Sequence, residues 1–228
     1  MKNKIVIFLS VVALAAVFFW AQNHFPINSG MVEKAVPVSQ APAEAVSSQD
    51  KTETPSENKK PGFLSPLEQA KERVTKKQFG LFVTSENSPV QPENFTGYHT
   101  GTDFEIFPGE ENIDVMVKAV CDGKLQTKKT ATGYGGVLVE SCSLNGEPIT
   151  VAYGHLKLTS INYNIGDVIN AGDTLGILGK GYSTETSGER KHLHLGFHKG
   201  AAINILGYVQ NQVELSGWLD PCQYVCGN

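Results

Sequence analysis

The rhythm of hydrophobic and polar positions changes three times along this chain. Ile5 to Ala21 is an apolar run placed behind Lys2 and Lys4. It is near the short end of what crosses a bilayer, and basic residues ahead of an apolar stretch mark a signal sequence or a signal anchor. Ala13-Leu14-Ala15 has the look of a cleavage motif, but Val17-Phe18-Phe19-Trp20 continues the apolar run beyond it. An uncleaved anchor over residues 1–22 is therefore favoured, with the two lysines on the cytoplasmic side; removal near Ala21 is the alternative and would give a secreted protein. From about Asn28 to Lys60, Ser, Pro, Glu, Ala, Gln and Lys displace large apolar residues. Such a segment cannot bury enough surface to offset its ordering entropy, so residues 23–64 are expected to be a disordered tether.

The pattern then becomes that of a folded domain. Ser65-Pro66-Leu67-Glu68 reads as a helix start, with Ser65 as cap, Pro66 at the first helical position and Glu68 completing a capping box. The spacing predicts a short helix over residues 65–78, ended by Gly80. Beyond it, short apolar or alternating runs are separated by Gly, Pro, Asn and Asp. They are Val115–Val120, Lys124–Thr130, Val137–Ser141, Ile149–Tyr153, Val168–Ile169, Thr174–Leu178 and His192–Phe197. Many short strands with turn signals between them predict an all-β domain over residues 79–228.

Composition narrows the function. The net charge is −4 and no basic cluster stands out, which argues against a nucleic-acid partner. Cys121, Cys142, Cys222 and Cys226 all lie beyond the apolar run, and an even count in an exported segment favours disulfides. A four-cysteine zinc site is the rival, but the paired C-x-x-C knuckles it needs are absent. If Lys124–Thr130 pairs antiparallel with Val137–Cys142, Cys142 comes to lie beside Gly123 and hence near Cys121. The expected bridges are Cys121–Cys142 and, by remainder, Cys222–Cys226.

The candidate chemistry is carried by histidines. His192 and His194 stand two apart in a strand-like run, so both project from one face while Leu193 and Leu195 face the other way. His99 and Asp103 stand four apart in Gly97-Tyr98-His99-Thr100-Gly101-Thr102-Asp103. On a straight strand they would be about 13 Å apart, but a bend at Gly101 would bring them onto one ion. His155 follows Gly154 at the end of an apolar strand, and Tyr182 to Arg190 is a polar loop leading into the His192 strand, placed to wall a cleft. His198 shares the face of His194 but is too distant along the strand to ligate the same ion.

Together, His99 and Asp103 in H-x-x-x-D, Tyr153-Gly154-His155-Leu156, the paired-glycine segment Gly166 to Gly179, and His192-Leu193-His194 resemble the lysostaphin/LytM-type zinc metallo-endopeptidases, over roughly Phe79 to Asp220. The resemblance implies a small antiparallel β-sheet domain with a substrate groove. It implies Zn2+ held by His99, Asp103 and His194, with His155 and His192 as catalytic histidines. It further implies hydrolysis of peptide crosslinks in bacterial cell-wall peptidoglycan. The lysine-flanked apolar run, the polar tether and the exported cysteines place the expected monomer outside the cytoplasmic membrane, anchored by its N-terminal segment or secreted if that segment is cleaved. Two other readings compete: a catalytically silent peptidoglycan-binding or regulatory module on the same fold, and a non-haem iron site built from two histidines and a carboxylate. The chain differs from the family pattern in its longer, more acidic Pro108–Asp114 segment, in Gly196 and His198 after the histidine pair, and in its cysteines. These differences bear on substrate preference more than on catalysis.

Overall fold

A computed structural model of the chain describes residues 62–227. The expected anchor over residues 1–22, and the tether up to residue 61, lie outside the described residues. The chain enters through one turn of helix, α1 (Ala70–Arg73), then β1 (Phe82–Val83), β2 (Gly97–His99), β3 (Gly101–Glu105) and β4 (Met116–Lys118). Three long strands follow, β5 (Gly123–Ala131), β6 (Gly135–Leu144) and β7 (Glu147–Gly154), and then β8 (Val168–Ile169) and β9 (Thr174–Ile177). β10 (His192–Lys199) is succeeded by β11 (Tyr208–Val209), α2 (Gln212–Leu215), β12 (Trp218–Leu219) and α3 (Cys222–Val225). The architecture is mostly antiparallel β, as the alternating runs predict.

The main sheet runs β12-β10-β7-β6-β5-β8, and β3 pairs with β10. β10 is thus bounded on one side by β7 and on the other by β3 and then β12. The β6–β7 hairpin turns through Asn145-Gly146, both with positive φ, the pairing that a two-residue hairpin loop favours. Leu193, Leu195 and Phe197 of β10 are fully buried against Phe104, Leu138, Val151 and Tyr153 in the principal core. Each such side chain contributes about 1.5–3 kcal/mol by leaving water. The alternate positions His192, His194 and Gly196 face away from that core, so the alternation that buries the leucines also presents the histidines.

The predicted helix over 65–78 is corrected to the four residues of α1. Ser65 does not cap it: its hydroxyl donates to the carbonyl of Val225 at 2.7 Å. Gln69 is left-handed at φ 53°, which breaks any continuous helix from Ser65, and Val74 has already left helical geometry. The physical reason is tertiary. Arg73 is buried over the Phe107 ring at 4.0 Å, forks onto Glu110 and reaches the backbone carbonyls of Glu68 and Glu105. Those contacts outweigh a local helix propensity of a few tenths of a kcal/mol per residue. Phe63, Leu67 and Ala70 belong to the principal core, so this entry segment packs as part of the domain.

Both expected disulfides are present, Cys121–Cys142 and Cys222–Cys226, with Cα separations of 6.1 and 4.8 Å. The register explains the first: Lys124 pairs with Ser141, which sets Gly123 beside Cys142.

Candidate metal centre

The register of β10 assembles the cluster. His194 lies opposite Asp103 of β3 on one side and Gly154 of β7 on the other, while His192 lies opposite Glu105. Cross-strand neighbours share a face, so His192, His194, Asp103 and Glu105 converge. His99 arrives from a different sheet, β1-β2-β11, where it pairs with Tyr208. The chain passes from that sheet into the main one at Thr100, whose N–H donates to Gly207 O at 3.1 Å and whose hydroxyl donates to Leu206 O. This step is the bend expected between His99 and Asp103, and it brings their side chains to 3.3 Å. Two glycines make room: a Cβ on Gly101 would stand 2.7 Å from the His194 ring, and one on Gly154 would stand 2.3 Å from the Tyr134 ring.

His99 Nε2, His194 Nδ1 and Asp103 Oδ1 form a triangle with edges of 3.0, 3.1 and 3.3 Å. Zinc bound to nitrogen and oxygen at about 2.0–2.1 Å sets tetrahedral neighbours about 3.3 Å apart. Three sides of one tetrahedral face therefore fit, with donor types to match, and the residues could hold a metal ion. They line a cavity of about 450 Å³, which leaves the fourth direction open.

The other two predicted site residues line the same cavity. The rings of His155 and His192 are 4.2 Å apart. His192 donates from Nδ1 to the Arg190 carbonyl at 2.9 Å. A carbonyl only accepts, so this bond puts a proton on Nδ1, while Nε2 stands 3.3 Å from Asp103 Oδ2. His155 is buried in a left-handed conformation, φ 63°, and its Nδ1 has no hydrogen-bond partner among the described residues. A non-glycine residue held there costs about 1–3 kcal/mol, a cost that clusters at functional sites.

Electrostatics favour the protonation states that metal binding needs. Burial acts to raise the Asp103 carboxyl, but His192 and His99 beside it prevail and hold it well below the usual carboxylate range. Burial, opposed by Asp103, brings His194 down to about 4. Burial and then His192 hold His155 well below the ordinary histidine value. At neutral pH Asp103 is therefore a carboxylate, and His194 and His155 are neutral imidazoles.

All five residues singled out from the sequence are thus brought together. His198 is not among them; it packs edge-on against Trp218 at 4.8 Å. Sequence reasoning misses Lys77, Tyr134, Glu105 and Tyr208 around the site. Of these only Tyr134, set between Gly133 and Gly135, carries a local signal. Arg190 enters the sequence reading only as the end of a cleft-wall loop. It is buried, donating from Nε to both Glu105 oxygens at 3.0 and 2.9 Å and from Nη2 to Asp103 Oδ2 at 2.8 Å.

Residues 97–205 match Peptidase family M23. Among solved structures, LytU is 26% identical, with 68% of this chain and 88% of that chain covered and a TM-score of 0.45. Lysostaphin from Staphylococcus simulans is 27% identical, over 55% of this chain and 42% of that one, with a TM-score of 0.38. A zinc containing peptidase from Vibrio cholerae is 22% identical, over 60% and 36%, with a TM-score of 0.39. Among curated proteins the comparison finds no match.

Proposed function

We propose that this chain, whose residues 97–205 match Peptidase family M23, is a zinc-dependent endopeptidase that hydrolyses peptide bonds in bacterial cell-wall peptidoglycan. The observation that carries the reading is the triangle of His99, Asp103 and His194, open on one side to a groove that holds two further histidines. Zinc bound there would supply Lewis acidity, giving a more acidic water and a polarised scissile carbonyl.

The chain's own residues supply the rest. His99 and His194 each offer one ring nitrogen and Asp103 one oxygen, and the second oxygen of Asp103 is held by Arg190. His192 lines the groove with Nδ1 held by the Arg190 carbonyl and Nε2 beside Asp103, so its ring can take a proton from water or return one to the leaving amine. His155 is neutral, and its Nδ1 is free of partners among the described residues, so it can do the same or donate to developing charge on the carbonyl oxygen. The aromatic rings of Phe95, Tyr134 and Tyr208 line the groove and restrict water at the reacting bond.

The reading places the domain outside the cytoplasmic membrane, held near it by residues 1–22. Two disulfides support an oxidising compartment, and peptidoglycan lies on that side. The test is digestion of purified peptidoglycan, with mass spectrometry of the released fragments and metal analysis of the same sample. One zinc per chain with newly exposed peptide amines supports the reading. Bound zinc with intact peptidoglycan would mark a silent module, and stoichiometric iron would mark a different enzyme.

A further inference from the structure

Glu105 is a second carboxylate beside the centre. It follows Asp103 by two residues on β3, lies on the same face, and sits opposite His192. Among the described residues the cationic contacts of its carboxylate are Arg190 and the exposed Lys76, the latter at 3.7 Å, while Arg73 reaches only its backbone carbonyl. One nitrogen of Arg190, Nη2, holds Asp103 Oδ2 and Glu105 Oε1 together. The two carboxylate oxygens therefore stand within about 5 Å of each other. A change of rotamer at Glu105 spans that distance.

We infer that Arg190 is a positioning residue whose guanidinium keeps Glu105 out of the metal centre and so preserves the open position that hydrolysis needs. This inference rests on the zinc endopeptidase reading. The fork geometry matches this role. Nε and Nη2 lie on one edge of a rigid plane, and that edge faces Glu105 with three short contacts. Arg190 and Glu105 are both buried, and neither would remain there alone as a charge. Without the guanidinium, Glu105 is an uncompensated carboxylate next to another carboxylate. The strongest cation within reach is then the metal, because an exposed lysine at 3.7 Å contributes little. Glu105 added to His99, Asp103 and His194 would make four protein ligands, and a sphere closed in that way is the mark of a structural site.

The consequence has an unusual sign. Residues that merely support metal ligands weaken metal binding about 10–100-fold when removed. Arg190→Met removes a positive charge near the ion and frees a negative one, so zinc should bind about tenfold more tightly while turnover falls about a hundredfold. Glu105→Gln added to Arg190→Met removes the intruding ligand and replaces a buried ion pair by neutral groups, a change that folds tolerate. In that double variant turnover should return to within about tenfold of the unaltered chain, and the extra zinc affinity should vanish.

The experiment measures zinc affinity by competition with a chromogenic chelator, alongside peptidoglycan hydrolysis, in all three full-length proteins. Weaker zinc binding in Arg190→Met, or a double variant as inactive as the single one, overturns the inference. Arg190→Gln is also neutral but can still bond to one carboxylate; it should repeat the pattern at smaller amplitude and serves where the Met variant does not fold. If the unaltered chain binds no zinc, the functional reading itself fails. If it binds zinc and hydrolyses while Arg190→Met loses zinc, only the role of Arg190 fails.

Discussion

Among the described residues, two buried clusters hold three metal-competent residues each: His99, Asp103 and His194, and Cys121, Glu140 and Cys142. Composition alone would rank them alike. Their surroundings do not. The first borders a cavity of about 450 Å³, with His155 and His192 beside it. In the second, the two sulfurs are bonded to each other, and Glu140 is fully buried, receiving the Tyr153 hydroxyl. Tyr153 in turn accepts from the Val120 N–H at 2.9 Å. One cluster keeps its donors apart and open to solvent on one side; the other is closed on itself. Closeness of donor atoms is thus a weak criterion, and access with available lone pairs is what separates a site from a fastening.

The largest expected effect tests that separation directly. His194→Ala and Asp103→Asn should each abolish stoichiometric zinc and reduce hydrolysis by about a thousandfold or more, since two ligands do not make a catalytic site. Glu140→Gln should leave zinc content unchanged. Metal analysis after exhaustive dialysis decides it. A His194→Ala protein that keeps one tightly held zinc would remove the distinction between the clusters.

Within the open cluster, the next contrast is between holding and acting. His155→Ala and His192→Ala should retain zinc but lose turnover by about 10²–10⁴, the usual worth of a positioned proton carrier. The two need not be equal: His192 is fixed by the Arg190 carbonyl, whereas His155 Nδ1 has no partner among the described residues. Single-turnover rates on a defined peptide would rank them. Loss of zinc in either variant would move that residue from the second role to the first.

How much of this is legible in the sequence differs between regions for a physical reason. β10 is legible because strict alternation of His192, Leu193, His194 and Leu195 carries both the strand and its two faces. The Cys121–Cys142 bridge is legible because one assumed hairpin register fixes it. The expected turn between His99 and Asp103 follows from Gly97 and Gly101. By contrast, β1, β11 and β12 are two residues each, too short for any period to register. The helix predicted over 65–78 fails because Gln69 turns left-handed and Arg73 obeys a partner 37 residues away, not local propensity. Arg190 and Glu105 are 85 residues apart, and nothing in either local sequence announces the other. Long-range ion pairing between strands is invisible to a reading by windows.

The closed cluster should reveal itself through stability. The Cys121–Cys142 bridge spans 21 residues, and closing a loop of that length stabilises by about 3 kcal/mol in the chain-entropy account. Replacing both cysteines by Ala should cost that much in urea denaturation while zinc affinity stays within a factor of about two or three. The Cys222–Cys226 bridge spans only 4 residues and should matter less. A zinc affinity that fell with the first bridge would mean that the two clusters are coupled.

The smallest effect is the titration of Glu140. Burial raises its carboxyl to about 8, against the opposing hydrogen bond from Tyr153. The folded-state value therefore lies above the unfolded one, so the protonated form favours folding. Its contribution is fully present below the unfolded value, near 4.5, and is lost as pH rises through about 8. Between pH 6 and 8 the loss should be about 2 kcal/mol. Glu140→Gln mimics the protonated acid and cannot ionise, so its stability should lack this component. Every other group is common to both proteins, and the difference between the two curves isolates Glu140. Urea denaturation of both proteins at pH 6, 7 and 8 is the measurement, with the disulfides intact. Curves that converge at low pH and separate toward pH 8, with the Gln variant the more stable, fit a buried acid inside a closed cluster. A constant separation across that range would mean that Glu140 is already ionised when folded, and that its cluster is more open to water than its burial implies.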